Sequence, residues 1–159
     1  GHMVISNNYA KDFGWDWGFS NGGSCITVWE SLEWPVFIIN NTITNSKYGC
    51  LAIAHTAPQE VQPHLLPTGR AHSRVLLMGN KFTNPNGDRS CVSINSTEII
   101  NIVSGKFNGG VNPDILIDSK TAWKWGAPVC IRSFLSPTLW SLDIQHWDGT
   151  KYVPVEVSR

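Results

Sequence analysis

Val36-Phe-Ile-Ile-Asn-Asn-Thr-Ile43 is an apolar run that ends in an amide pair, one polar residue and one apolar residue. The same order, with the small or amide pairs Gly-Asn and Ser-Gly in that place, returns in Val75-Leu-Leu-Met-Gly-Asn-Lys-Phe82 and Ile100-Asn-Ile-Val-Ser-Gly-Lys-Phe107, and Val4-Ile-Ser-Asn-Asn-Tyr9 is a looser copy. A second apolar segment belongs to each copy: Cys25-Ile-Thr-Val28, Cys50-Leu-Ala-Ile53, Cys91-Val-Ser-Ile94 and Asp114-Ile-Leu-Ile117. The stretch from Val36 to Ser119 is therefore a two-part repeat.

Aligned on the residue that ends the longer run, the copies place Asn8, Asn41, Asn80 and Gly105 at intervals of 33, 39 and 25 residues. Periods of roughly 20 to 50 residues mark solenoids, in which a repeat buries its apolar face only by stacking on its neighbours. Strands rise about 3.3 Å per residue, so two or three short strands with their turns fill one coil of roughly 25 residues. The longer intervals carry loops. With no helical period, no leucine-rich signature and no Trp-Asp blade signature, the pattern predicts an all-β chain wound as a parallel β-helix.

Composition agrees. Fourteen Gly, nine Pro and abundant Val, Ile, Asn, Ser and Thr in 159 residues favour strands punctuated by turns. Twelve basic and twelve acidic residues cancel, so no long-range field recruits nucleic acid or an anionic membrane. No run of about 18 apolar residues suggests membrane insertion. Four cysteines are too few for a disulfide scaffold. Because Cys25, Cys50 and Cys91 recur at one place in the repeat, a column of free thiols is the expectation. No zinc spacing, dense acidic calcium cluster, phosphate loop or dinucleotide fingerprint is present, so neither metal nor cofactor is expected.

The pattern in Ile38-Ile-Asn-Asn-Thr-Ile43 and Leu77-Met-Gly-Asn-Lys-Phe82 resembles the coils of the right-handed, pectin-lyase-like β-helix superfamily, which includes polysaccharide lyases, epimerases, glycosidases and bacteriophage tailspikes. The resemblance covers about residues 4 to 119. It implies a ladder of stacked Asn side chains inside one turn, with Asn8, Asn41 and Asn80 as its rungs and Gly105 as its end. It also implies, through the likeness to tailspikes, three chains side by side about a threefold axis.

The first three residues, Gly1-His2-Met3, read as a cloning scar outside the fold, and the opening of the native part inside a repeat suggests a piece of a longer protein. Coils are expected over residues 4 to 134, with Val129 and Ile131 as the inward pair of the last one. Loops are expected at 10 to 24 and 56 to 72, the first rich in aromatics and the second in proline. Residues 135 to 159 are expected to form a cap at the trimer tip, a hairpin turning on Asp148-Gly149.

Alternation along a strand separates inward from outward residues. It leaves Phe37, Ile39, Leu76, Met78 and Val103 on one outer face, an apolar stripe that calls for cover by an identical chain or by the 56 to 72 loop. On another face it leaves Trp29, Ala54, Asn95 and Asp118 in a column, with Trp15 and Trp17 overhanging one end. Trp faces stack on sugar rings while polar side chains take hydroxyls, which makes Trp15, Trp17, Trp29, Asn95 and Asp118 carbohydrate-binding candidates. The other tryptophans, Trp123, Trp125, Trp140 and Trp147, are assigned to core or interface.

Glycoside hydrolysis needs two carboxylates at roughly 5 to 9.5 Å, and Asp16, Glu30 and Glu33 are the acids clustered beside aromatics. A Glu30–His55 contact across adjacent coils is a further acid–base pair the spacing allows. The expectation is a tailspike-like fragment on a virion tail or in an extracellular setting, a homotrimer that binds a bacterial surface polysaccharide. A secreted polysaccharide hydrolase, lyase or epimerase of the same superfamily and a purely structural trimerisation end are the alternatives.

Overall fold

Among the described residues of the computed structural model, fifteen strands carry the chain through three sheets in rotation. The structure describes residues 1–13, 24–29, 34–54, 72–84, 87–95, 97–118, 120 and 132–155. Sheet A stacks β1 (Met3–Ser6), β4 (Val36–Ile39), β7 (His72–Met78), β10 (Thr97–Ile102) and β13 (Arg132–Leu135) in that order. Sheet B stacks β2 (Tyr9–Lys11), β5 (Thr42–Thr44), β8 (Asn80–Thr83) and β11 (Gly105–Asn108). Sheet C stacks β3 (Ile26–Trp29), β6 (Leu51–Ala54), β9 (Val92–Ile94), β12 (Ile115–Ile117), β14 (Ile144–Trp147) and β15 (Tyr152–Pro154). All pairings are parallel except β14 with β15. The protein is all-β with mostly parallel strands and almost no helix among the described residues.

Each of the first four turns holds three strands, not the two segments legible in the repeat, and the last runs from β13 to β14 without a strand in sheet B. The third is the short run after the amide, whose single inward residue is Ile43 in β5, Phe82 in β8 and Phe107 in β11, all buried. Three sheets enclose one core. Val36, Ile38, Val75, Leu77 and Ile100 from sheet A and Leu51, Ile53, Val92, Ile94 and Ile115 from sheet C are fully buried. Burying one such side chain stabilises by about 1.5–3 kcal/mol. Phe82 and Phe107 meet edge to face at 5.9 Å, a favoured ring geometry.

The corners are made by left-handed residues. Asn7, Asn40 and Gly79 take φ of 59°, 53° and 68° between sheets A and B, a region asparagine and glycine enter at low cost. Asp12 and Asn45, at 58° and 59°, turn the chain after sheet B. Behind the first corner runs the amide ladder. Asn8 Nδ2 donates to Asn41 Oδ1 at 2.9 Å, and Asn41 Nδ2 to Asn80 Oδ1 at 3.1 Å. The same oxygens accept the backbone N–H of Asn8 and of Asn41 at 3.0 Å. Gly105 ends the ladder: a Cβ there, at φ 149°, would stand 2.8 Å from the carbonyl oxygen of Asn80.

The thiols form the expected column. Leu51 pairs with Ile26 and with Val92, which sets Cys25, Cys50 and Cys91 side by side, and all three are free. Burial pushes the Cys50 thiol up to about 12 and Cys91 well above its ordinary value.

Several boundaries differ from expectation. Ala10 and Lys11 belong to β2 and His72 opens β7, so both inserted loops are shorter at one end; residues 14–23 and 55–71 are not among those described. Val129 and Ile131 also lie outside the described residues, and the place assigned to them is held by β13, with Ser133 against Ile100 and Leu135 against Ile102. The tail is a hairpin as expected, Trp147 pairing with Tyr152. Its first strand, β14, pairs in parallel with β12 and so continues sheet C.

Candidate functional site: a polar groove across sheet C

Outward residues of sheet C stand in register from coil to coil. Thr27, Ala52, Ser93, Leu116 and Gln145 form one row. One residue along each strand, Trp29 pairs with Ala54, while Asn95 bonds to the carbonyl of Ile53, Asp118 to that of Ile94 and Trp147 to that of Asp118. Rows of adjacent strands are about 4.8 Å apart.

Over the first row lies a groove of about 830 Å³. Ala52, Ser93, Leu116 and Gln145 make its floor, and Asn95 and Tyr152 stand on the side toward the strand ends. Its other side is built by residues that precede the strands: Ser24, Tyr48, the turn Asp88-Arg89-Ser90, the turn Val111-Asn112-Pro113, and Asp143. The floor crosses β6, β9, β12 and β14, so a ligand lying along it spans three strand spacings, about 14 Å.

Hydrogen bonds hold this wall. Asn112 Nδ2 donates to the carbonyl of Gly87 at 3.0 Å and ties the two turns together. Asp114 accepts the N–H of Gly109 at 2.8 Å through Oδ1 and that of Asp143 at 2.9 Å through Oδ2. Gln145 Nε2 donates to Asp143 Oδ1 at 2.9 Å. The buried ring of Tyr48 carries Lys47 at 5.1 Å and Arg89 at 5.9 Å from its centre, which keeps the Arg89 cation at the groove's edge. At the far end Tyr152 packs edge to face on Trp147 at 5.0 Å, with Lys120 Nζ over the Trp147 ring at 5.3 Å.

The sequence candidates fare unequally. Asn95 lines the groove. Trp29 sits by its backbone at the end of β3, the outermost strand of the sheet. Asp118 departs from the alternation: its backbone turns left-handed at φ 47° and the residue is 2% exposed, so its carboxylate is not presented on the outer face. Trp15, Trp17, Asp16, Glu30, Glu33 and His55 fall outside the described residues. Arg89, Asn112, Asp143, Gln145 and Tyr152 were missed, and Trp147, assigned to core or interface, ends the column that Trp29 begins.

Sheet A presents the other face of interest. Val4, Phe37, Leu76, Asn101 and Phe134 share one outward row. Ile39 and Met78 pair in the next, and Val103 follows by its bond to the carbonyl of Leu77. Phe37, Ile39 and Leu76 are half-buried, while Val4, Met78, Val103 and Phe134 are 51%, 38%, 46% and 36% exposed. The five stripe residues therefore stand together, with Val4 and Phe134 extending them and Asn101 as a polar interruption.

Among the described residues no group of three or more His, Cys, Asp or Glu side chains is placed to hold a metal, and no helix is long and apolar enough to cross a membrane. Comparison with protein-family models, with curated proteins and with solved structures gives no match.

Proposed function

We propose that this chain is a segment of right-handed parallel β-helix that holds an extended bacterial surface polysaccharide in the groove of sheet C and packs against two identical chains through the outer face of sheet A. Three strands per turn, left-handed corners and an amide ladder support the β-helix reading. Strand–crossover–strand connections are right-handed in about 98% of cases. The distal part of a bacteriophage tailspike is the kind of protein this combination fits, on a virion tail or in an extracellular setting.

The groove carries the functional reading. A linear glycan offers hydroxyls at regular intervals and apolar ring faces between them, and this floor offers Ala52, Ser93 and Gln145 around one apolar residue, Leu116, with an aromatic pair at one end.

Retention of a panel of bacterial polysaccharides, followed by assays for new reducing ends and for unsaturated uronate, tests the proposal. Retention without product is the expected outcome. Product formation would favour the hydrolase, lyase or epimerase alternative, and no retention at all would leave the structural trimerisation end.

A further inference from the structure

The groove's charge and its apolar pieces narrow what it accepts, taking the glycan reading above as given. Among its described lining residues two carboxylates, Asp88 and Asp143, face one guanidinium, Arg89. That balance gives a polyanion no net attraction. Two further cations stand nearby without being in the lining, Lys47 over the Tyr48 ring and Lys120 over the Trp147 ring.

Apolar surface is concentrated in one part of the groove. Leu116 interrupts the polar floor, and Pro113 and the 93% exposed Val111 stand on the wall beside it. The turn that carries them is pinned through Asn112 and Gly109, so these groups are held in place before a ligand arrives. A methyl group buried there gains about 25 cal/mol for each Å² removed from water. The side-chain amides of Asn112 and Gln145 also line the groove, each with an N–H on Gly87 or Asp143, and carry the donor and acceptor types that pair with a secondary amide.

We propose that the groove selects an uncharged glycan bearing acetamido groups, with the acetamido methyl on Leu116, Val111 and Pro113, and discriminates against polyuronates. Acidic polysaccharides are thereby placed outside its range.

Calorimetry with three tetrasaccharides of equal length, chitotetraose, cellotetraose and tetragalacturonate, tests this. Chitotetraose should bind at least several-fold more tightly than cellotetraose, and tetragalacturonate most weakly. Leu116→Ser should remove the preference for chitotetraose over cellotetraose, and Asp88→Asn with Asp143→Asn should raise tetragalacturonate binding several-fold at low salt and less at high salt. Equal or tighter binding of the uronate, no preference for the acetamido sugar, or no binding of chitotetraose each overturns the inference. If chitotetraose fails while a bacterial polysaccharide is retained, the glycan groove stands and only its specificity falls. If no glycan is retained, both fall.

Discussion

Asn41 Nδ2 donates to Asn80 Oδ1 at 3.1 Å across 39 residues of sequence, and Asn41 Oδ1 in turn accepts from Asn8. Both Asn41 and Asn80 are buried, so each amide in the ladder satisfies the backbone and the amide of a neighbouring coil at once. Asn80 closes the set by donating to the carbonyl of Ile38 at 2.7 Å.

Replacing Asn41 by Ala strands donors on Asn8 and acceptors on Ile5 and Asn80. Urea unfolding should show a loss of about 2–4 kcal/mol. The same change at the exposed Asn8 should cost only about 0.5–1.5 kcal/mol. Equal losses at the two positions would contradict a buried ladder.

The thiol column makes stability fall at alkaline pH. Burial raises the native pKa of Cys50 to about 12 and that of Cys91 well above its ordinary value, while the unfolded chain releases these protons near 9. Stability is then flat below about pH 9 and declines above it by about 1.4 kcal/mol per pH unit for each buried thiol. Cys50→Ala should reduce the slope. A thiol reagent at pH 8 should react with Cys50 and Cys91 only after denaturation, and rapid reaction of the native protein at both would rule out the burial.

Asp148 sets the hairpin turn. Its Oδ1 accepts from the N–H of Thr150 and of Lys151 and from the Thr150 hydroxyl, and bonds from Lys151 and Thr150 lower its pKa from 3.8 to about 2. What the carboxylate contributes to the turn is present above pH 3.8 and is lost as pH falls through 2. A carbon-detected NMR titration should place its midpoint near 2, and a midpoint near 4 would mean the turn is open in solution.

How much of this was legible in the sequence follows from what encodes it. Strand alternation is written in side chains, so the inward pairs Val75 and Leu77, or Val92 and Ile94, were readable, and the ladder was readable because an amide recurs at one place. Left-handed backbone is not written that way, so Asp118 was read as outward although it is buried at φ 47°. Turn residues such as Arg89 and Asn112 escape any parity argument. Gln145 and Trp147 were missed because the tail was read as a cap. Yet Asp143-Ile-Gln-His146 repeats Asp114-Ile-Leu-Ile117, and Ile144 pairs with Ile115 as that likeness implies. The signal was present, with polar residues in place of two apolar ones.

The proposed assembly through sheet A rests on its apolar outer rows. Met78 is 38% exposed and stands within the stripe between Ile39 and Val103, so Met78→Glu should leave the fold intact while an unpaired charge is forced into the contact. Sedimentation should give a trimer for the unaltered chain and a monomer for Met78→Glu. A monomer before the change would remove the interface proposal and leave the groove untouched.

The most direct test of the central claim fills the groove. Ser93 is an outward, half-buried floor residue on β9, so Ser93→Trp occupies the space over the strands without entering the core. Affinity of a retained bacterial polysaccharide, measured by calorimetry for the unaltered chain and for Ser93→Trp with an unchanged melting curve, is the decisive comparison. Binding that is lost, by a hundredfold or more, is the predicted result; undiminished binding by the Ser93→Trp protein would place the ligand elsewhere and contradict the account.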